Sequence, residues 1–162
     1  MQEYLVPTQY GEAEFIEKKS RVIGHIWPVE TEEEALEKIQ LMKKQNYDAT
    51  HNCWAYVIKD GPMRFSDDGE PGGTAGNPML QVLQRENLFN VVCVVTRYFG
   101  GTLLGTGGLV RAYQAATKAG LEGSTVIEKN WGKKLSIGTD YTGLGKIQYI
   151  LGQRGITILN TP

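Results

Sequence analysis

One short run of the sequence constrains the fold more than any other. Residues 90–96 read Asn-Val-Val-Cys-Val-Val-Thr, an almost wholly apolar and largely β-branched stretch. β-branched side chains favour strands, and a strand without polar alternation is apolar on both of its faces. This run therefore predicts a central strand of a sheet that is covered on both sides.

The residues around this strand predict a mixture of further strands and helices. A capping box at Thr31-Glu32-Glu33-Glu34 predicts the start of a helix, because the threonine hydroxyl can accept from an orphan amide and the third glutamate can reach back. A second helix is predicted to be capped by Thr74 or Asn77, and a third to open at Gly107-Gly108. Further strands are predicted at 13–17, 21–29 and 51–58, with a turn at Lys19-Ser20. Because strands and helices do not alternate strictly, the pattern favours an α+β sandwich over a doubly wound sheet.

The last 34 residues follow a pattern of their own. A strand at 133–139, an apolar helical stripe through Leu144 and Ile147, and a strand at 156–159 predict one βαβ unit. So short a unit cannot bury enough surface to stand alone. We therefore predict a first domain over residues 1–128 and a partial second domain over residues 129–162. We expect this second part to dock on the first domain, to pack on a second copy, or to be the ordered remnant of a longer protein.

Charge is distributed unevenly between these two parts. Residues 1–128 hold 17 acidic and 12 basic side chains, a net charge of −5, whereas residues 129–162 hold 1 and 5, a net charge of +4. An acidic first domain argues against broad binding of a phosphate backbone. The sequence has neither an apolar run of about 18 residues nor a signal-peptide pattern, so we expect a cytosolic chain that does not bind membranes.

Two polar stretches concentrate glycine beside charged residues. The acidic loop, residues 66–76, and the glycine loop, residues 96–108, together hold 4 + 5 = 9 of the 20 glycines. Glycine tolerates positive φ and close approach, so these stretches predict a shaped polar surface in which the two loops meet. The candidate binding surface comprises His51, Arg64, Asp67, Asp68, Glu70, Thr74, Arg97, Tyr98, Gly100, Gly101, Thr106, Gly107, Gly108 and Arg111.

Several kinds of chemistry are compatible with the residue types of this surface. Arg97, Arg111 and the helix amides after Gly107 predict a confined positive pocket for a small anion. The alternative is that Asp67, Asp68 or Glu70 itself accepts hydrogen bonds from those amides and pairs with Arg97 or Arg111, which closes the two loops on each other. No dedicated metal or nucleotide motif is present, so we predict no cofactor, no metal and no catalytic residue. Cys53 and Cys93 lie in apolar strand runs without partner spacing and are predicted to be buried and reduced.

Four motifs in this region occur in the same order and at similar spacing in a known family. The chain resembles the IMPACT/YigZ family over about residues 10–125, and Leu103 stands where eukaryotic members usually have lysine, which indicates the bacterial branch. The motifs are His51-Asn52-Cys53-Trp54-Ala55-Tyr56, Asp67-Asp68-Gly69-Glu70-Pro71, Val95-Thr96-Arg97-Tyr98-Phe99-Gly100-Gly101 and Leu104-Gly105-Thr106-Gly107-Gly108-Leu109-Val110-Arg111-Ala112-Tyr113.

This resemblance implies both a fold and a class of function. The implied fold is a two-layer α/β sandwich like domain four of elongation factor G, followed by part of a ferredoxin-like domain. Eukaryotic members of the family dampen an amino-acid-starvation kinase by competing for its activating partner on ribosomes, and bacteria lack that kinase. We therefore expect a non-enzymatic regulator of translation or stress response that binds a protein or ribosomal partner. Both a monomer and an oligomer are compatible with the sequence. The alternatives are an RNA-binding module, or an enzyme acting on a small phosphorylated or amidated substrate.

Overall fold

The computed structural model describes residues 3–124, 126–130 and 135–136. Strands and helices alternate irregularly along the chain, which confirms the predicted α+β class. The strands are β1 (Glu3–Pro7), β2 (Gly11–Glu17), β3 (Ser20–Pro28), β4 (His51–Val57), β5 (Met63–Ser66), β6 (Val91–Tyr98), β7 (Val126–Asn130) and β8 (Leu135–Ser136). The helices are α1 (Glu32–Gln45), α2 (Gly76–Arg85) and α3 (Gly105–Glu122).

The main sheet is antiparallel, with the strand order β2-β3-β6-β4-β5, so β6 lies at its centre as predicted. Along β6, Val91, Cys93 and Val95 belong to the core that α2 and α3 cover, whereas Val92 and Val94 belong to the core that α1 covers. Helices therefore lie on both faces of the sheet, and the predicted two layers are corrected to three. The physical reason is the apolar run itself, because each face of β6 needs its own cover.

A second, smaller sheet has the order β1-β7-β8. β1 and β7 pair antiparallel, from Glu3 opposite Asn130 to Pro7 opposite Val126. The Ser124 hydroxyl donates to the Gln9 carbonyl at 2.7 Å, and so joins the segments that lead into and out of this pair. The predicted division at residue 128 stays a prediction, because the tail helix and the strand at 156–159 lie outside the described residues.

The observed starts of the helices agree in part with those predicted from the sequence. Thr31 caps α1 by accepting from the Glu34 amide at 3.1 Å, while the Glu34 carboxylate accepts from the amide of Glu30 instead of that of Thr31. Neither Thr74 nor Asn77 caps α2, whose N-cap residue is Ala75. Helix α3 begins at Gly105, two residues before its predicted start. No helix among the described residues is long and apolar enough to cross a bilayer.

The hairpin between β2 and β3 turns through Lys18 and Lys19, not through Lys19 and Ser20. Ser20 pairs with Glu17 as the last rung of the hairpin, which leaves two residues in the turn. Both lysines have left-handed backbone conformations, with φ of 47° and 70°. Such a conformation costs an L residue roughly 1–2 kcal/mol, and glycine or asparagine is the usual choice at such positions. We call Lys18 and Lys19 the lysine turn.

Helix α3 lies unusually close to β3 because glycine occupies the contact. A Cβ added to Gly24 would stand 2.2 Å from the carbonyl oxygen of Ala116 on α3. That oxygen belongs to the helix backbone and cannot move aside without displacing the helix. Gly24 therefore sets the spacing between the sheet and α3, the helix that begins within the glycine loop.

Replacing Gly24 with alanine is expected to lower the free energy of unfolding by about 3 kcal/mol or more, at or above the upper end of ordinary overpacking. Urea unfolding followed by circular dichroism measures this change. The matched control is Gly72→Ala, where no atom lies within 4 Å of the added Cβ. For this control a change within about 0.5 kcal/mol is expected. Equal effects of the two substitutions would contradict the close contact.

Candidate functional site

The acidic loop and the glycine loop meet, as predicted, through one ion pair. The Arg97 Nε donates to Glu70 Oε2 at 2.7 Å and its Nη2 donates to Oε1 at 3.1 Å. Both side chains are buried, with 8% of Arg97 and 2% of Glu70 exposed. Burial alone would lower the pKa of Arg97, but the hydrogen bonds and charge of Glu70 hold that pKa above its usual value. A bidentate, desolvated pair of this kind is the strong form of an ion pair.

Three further side chains complete the hydrogen bonding of this pair. The Tyr113 hydroxyl of α3 donates to Glu70 Oε2 at 2.5 Å. The Ser20 hydroxyl accepts from Arg97 Nη1 at 3.2 Å. His51 Nε2 lies 3.5 Å from Glu70 Oε1, and its Nδ1 donates to the Asp68 carbonyl at 2.7 Å. We call Arg97, Glu70, Tyr113, Ser20 and His51 the buried polar cluster.

The two aspartates of the acidic loop hold the loop itself. The Asp67 carboxylate accepts from the amides of Gly73, Ala75 and Gly76, at 3.0, 3.2 and 2.8 Å. It therefore accepts hydrogen bonds from the free amides at the start of α2, where the N-cap residue Ala75 supplies no capping side chain. The Asp68 carboxylate accepts from the Asn52 amide of β4 at 2.7 Å. Among the described residues neither aspartate accepts an amide of α3, so that part of the alternative is wrong, whereas the pairing of Glu70 with Arg97 is confirmed.

The remaining predicted residues divide between this region and other surfaces. Thr74 donates its hydroxyl to the Pro71 carbonyl at 2.6 Å and so shapes the acidic loop. Arg64 lies on the edge strand β5 and pairs with Glu32 at 3.1 Å, away from the loops. Tyr98 lies on the face of β6 opposite to Arg97, where its hydroxyl is 3.2 Å from both Asn46 Oδ1 and Asp48 Oδ1.

Arg111 does not join Arg97. It is exposed on α3 and stands outside the buried polar cluster, whereas the charge of Arg97 is matched by Glu70. The predicted pocket that combined both arginines with the α3 amides is therefore corrected. Arg97 is the second-to-last residue of the buried strand β6 and its side chain is buried, so it needs an anion, which Glu70 supplies.

The outer side of the glycine loop is apolar. Phe99 and Leu103 are 44% and 81% exposed. Together with Pro71, Leu104 and other residues they line a cavity of about 260 Å³ whose lining also includes Glu70 and Arg97. The first turn of α3 has no side-chain cap and no acidic residue, and its residues Gly105 and Thr106 also line this cavity. This loop and turn contain the predicted residues Gly100, Gly101, Thr106, Gly107 and Gly108.

The sequence patterns do not identify Ser20, Tyr113, Phe99 and Leu103 as parts of this region. They place Ser20 in a turn, and Tyr113 only on the apolar face of a helix. For Phe99 and Leu103 a signal exists, because large apolar side chains inside a glycine-rich loop have no regular element to bury them. That pattern predicts an exposed apolar patch.

Both cysteines are buried free thiols, as predicted. Burial raises the pKa of Cys93 to about 12. Burial likewise raises the pKa of Cys53, whose thiol donates to the Asp67 carbonyl at 3.1 Å. A thiol that stays protonated is neither a nucleophile nor a metal ligand at neutral pH. Within the described part of the chain no cluster of histidine, cysteine and carboxylate side chains is suited to hold a metal ion.

Glu70→Gln is expected to lower the free energy of unfolding by about 3–5 kcal/mol, because it leaves the buried Arg97 guanidinium without a counter-charge. Chemical denaturation at pH 7 measures the loss. The control is Glu14→Gln, which removes the carboxylate of the exposed Arg21–Glu14 pair. That control should cost no more than about 1 kcal/mol. A loss below about 1 kcal/mol for Glu70→Gln would show that the pair does not hold the two loops.

In the folded protein Cys53 and Cys93 are expected to resist a thiol-specific disulfide reagent at pH 8 for as long as the core stays closed. Two thiols per chain should react at once after denaturation in guanidinium chloride. Absorbance of the released chromophore counts the reacting thiols. Rapid reaction of either cysteine in the native protein would contradict the burial described here.

Comparisons with known proteins show the family to which this chain belongs. Residues 18–121 match the family model of the Impact N-terminal domain. The chain is 49% identical over 147 residues to the IMPACT family member YvyE of Bacillus subtilis, which covers 90% of this chain and 68% of YvyE. It is 37% identical over 148 residues to the IMPACT family member YigZ of Escherichia coli, covering 89% of this chain and 72% of YigZ.

More distant and structural relatives share a shorter region. Over 110 residues the chain is 34% identical to Protein IMPACT of Mus musculus, covering 64% of this chain and 34% of that protein. The crystal structure of a hypothetical protein superimposes with a TM-score of 0.74 at 38% identity, covering 80% of this chain and 65% of the other. The matched domain contains the buried polar cluster and both loops, and the chain belongs to the IMPACT family.

Proposed function

We propose that this chain is a non-enzymatic cytoplasmic regulator of translation or stress response, and that it binds a protein partner through the surface around Phe99 and Leu103. Membership of the IMPACT family supports a regulatory role. The partner and the surface are inferences from the side chains themselves.

The observation that carries the proposal is the contrast between the inner and outer sides of the loops. The ionisable groups that could perform chemistry, Arg97, Glu70 and His51, contact one another, and the first two are buried. Solvent instead meets two large apolar side chains beside a cavity. A buried charge pair under exposed apolar groups is suited to recognition, because apolar anchors in a desolvated recess dominate binding energy.

A second candidate, contact with RNA or a small anion, is favoured by the first turn of α3. Its amides carry no side-chain cap, and a helix N-terminus attracts negative charge. The expected contact is confined to few phosphates, since residues 1–128 are acidic overall. The implied likeness to domain four of elongation factor G belongs to this candidate and stays a prediction.

The double variant Phe99→Ser/Leu103→Ser is expected to reduce partner capture by about 10-fold or more, because each lost anchor removes more than about 1 kcal/mol. The measurement is affinity capture by the tagged full chain, with protein and RNA in the captured fraction quantified separately. The control is Tyr47→Ser, which removes another exposed aromatic side chain, at 83% exposure, beyond the end of α1.

The results separate the three function classes. Loss of captured protein with the control unaffected supports the proposal. Loss of RNA alone favours the RNA-binding module, and turnover in a panel of phosphatase and amidase substrates favours the enzyme. If the double variant captures the same protein and RNA as the unaltered chain, the surface around Phe99 and Leu103 is not the binding site.

A further inference from the structure

The lysine turn places two lysines in a strained backbone conformation. Both of its residues have positive φ, where glycine or asparagine would be more stable. Both side chains are exposed, and neither forms an ion pair with a described residue. The two-residue hairpin requires this backbone conformation but does not require lysine at either position. An unfavourable residue type at a strained position motivates a search for what its side chain contacts outside the fold. The surroundings of these two charges therefore bear on what the surface binds.

The lysine turn and the glycine loop form one continuous surface. A Cβ on Gly100 would stand 1.8 Å from the carbonyl oxygen of Lys19, so the two backbones touch where glycine is placed. Phe99 precedes that contact and Leu103 follows it, both exposed. The backbone that carries the two lysines is thus held beside the loop that carries the apolar side chains of the proposed binding surface.

A second cavity, of about 250 Å³, lies beside the lysine turn, and Phe15, Lys18, Leu104 and Arg111 are among its lining residues. Leu104 also lines the cavity of about 260 Å³ under Phe99 and Leu103. Pockets that hold small molecules usually measure about 300–1,000 Å³. Two smaller recesses that share a wall fit separate apolar side chains of a protein segment better than they fit one metabolite.

The charge around the first of these recesses is positive. Lys18 and Arg111 are exposed cations that line the recess, and Glu17 is the anion that lines it with them. Lys19, the other residue of the lysine turn, is an exposed cation next to this lining. The lining therefore carries a net charge of +1, and the adjacent Lys19 raises the local charge to +2, whereas residues 1–128 together carry −5. The surface therefore departs from the charge of its own domain and is complementary to an acidic ligand.

We propose that the lysine turn, Arg111 and the two recesses beside Leu104 form a groove for an acidic segment of a protein partner that carries apolar anchor side chains. This inference rests on the proposed function and names the chemistry of its partner. Apolar anchors fill the recesses, and aspartate or glutamate side chains face Lys18, Lys19 and Arg111. The charges speed association and select the partner, while the anchors supply most of the affinity.

The double variant Lys18→Asn/Lys19→Gly tests this inference, because it separates binding from stability. It removes both charges and installs the residues that a two-residue turn of this geometry prefers. Its Tm is expected to rise by about 3 °C or more. A loss of binding in a more stable protein cannot come from unfolding. Lys44→Asn, an exposed lysine in the last turn of α1, is the control.

The probe is a displayed library of random peptides, each about 16 residues long, selected on the full chain. The most enriched peptide is synthesised with a fluorophore, and its Kd is measured by fluorescence anisotropy at low and high salt. We expect enriched peptides with apolar residues flanked by Asp and Glu. Their affinity should fall about 3- to 30-fold in the lysine-turn variant, fall with added salt, and stay unchanged in Lys44→Asn.

Other results overturn the inference in distinguishable ways. One such result is a set of enriched peptides that lack acidic residues, still bind the Lys18→Asn/Lys19→Gly variant and no longer bind the Leu103→Ser variant. That result would refute the acidic partner but agree with the proposed protein-binding function. If no peptide depends on Leu103, both proposals fail. If a single-stranded RNA of about 16 nucleotides binds through the lysine turn and no peptide does, the groove recognises nucleic acid, and the inference is wrong.

Discussion

The pairing of Arg97 with Glu70 is the interaction on which the arrangement of the loops depends. Removing two ions from water costs several kcal/mol for each, and their attraction offsets this only when geometry and further hydrogen bonds are good. Here the contact is bidentate, and Tyr113, Ser20 and His51 occupy the remaining positions. These partners come from β3, β4, β6, α3 and the acidic loop. One ion pair therefore correlates the positions of five parts of the chain.

This use of charge shapes what the surface can do. Each carboxylate of the acidic loop accepts hydrogen bonds from within the fold. Asp67 accepts from amides at the start of α2, Asp68 accepts from the backbone of β4, and Glu70 accepts from Arg97. The outward side is left to apolar residues of the glycine loop and to cations that the fold does not neutralise. Polar residues in a loop sequence thus do not imply a polar surface, because their side chains can form the internal hydrogen bonds that hold the loop in shape.

Much of the fold and of the candidate site follows from local sequence, and the departures have physical causes. The apolar run at 91–95 defines the central strand, but the start of α2 is not visible locally, because its capping carboxylate, Asp67, lies nine positions before Gly76. Complementary charge on two glycine-rich loops predicts that they meet. Periodicity cannot show that the ion pair is buried, because burial depends on Ser20 and Tyr113, which lie 77 and 43 positions from their partners. The turn between β2 and β3 is predicted one residue too late, at Lys19-Ser20, since lysine is rarely chosen for a backbone with positive φ.

The small sheet illustrates how a contact that is remote along the chain becomes local during folding. Glu3 and Asn130 are 130 − 3 = 127 positions apart, so closing that loop in an unfolded chain would be entropically costly. Once the five-stranded sheet and α3 exist, however, only residues 8–10 and 123–125 separate β1 and β7 from it. The Ser124–Gln9 hydrogen bond joins those two short connections. Pairing of β1 with β7 is therefore a late and inexpensive step, which becomes favourable only after the larger sheet has brought both ends of the domain together.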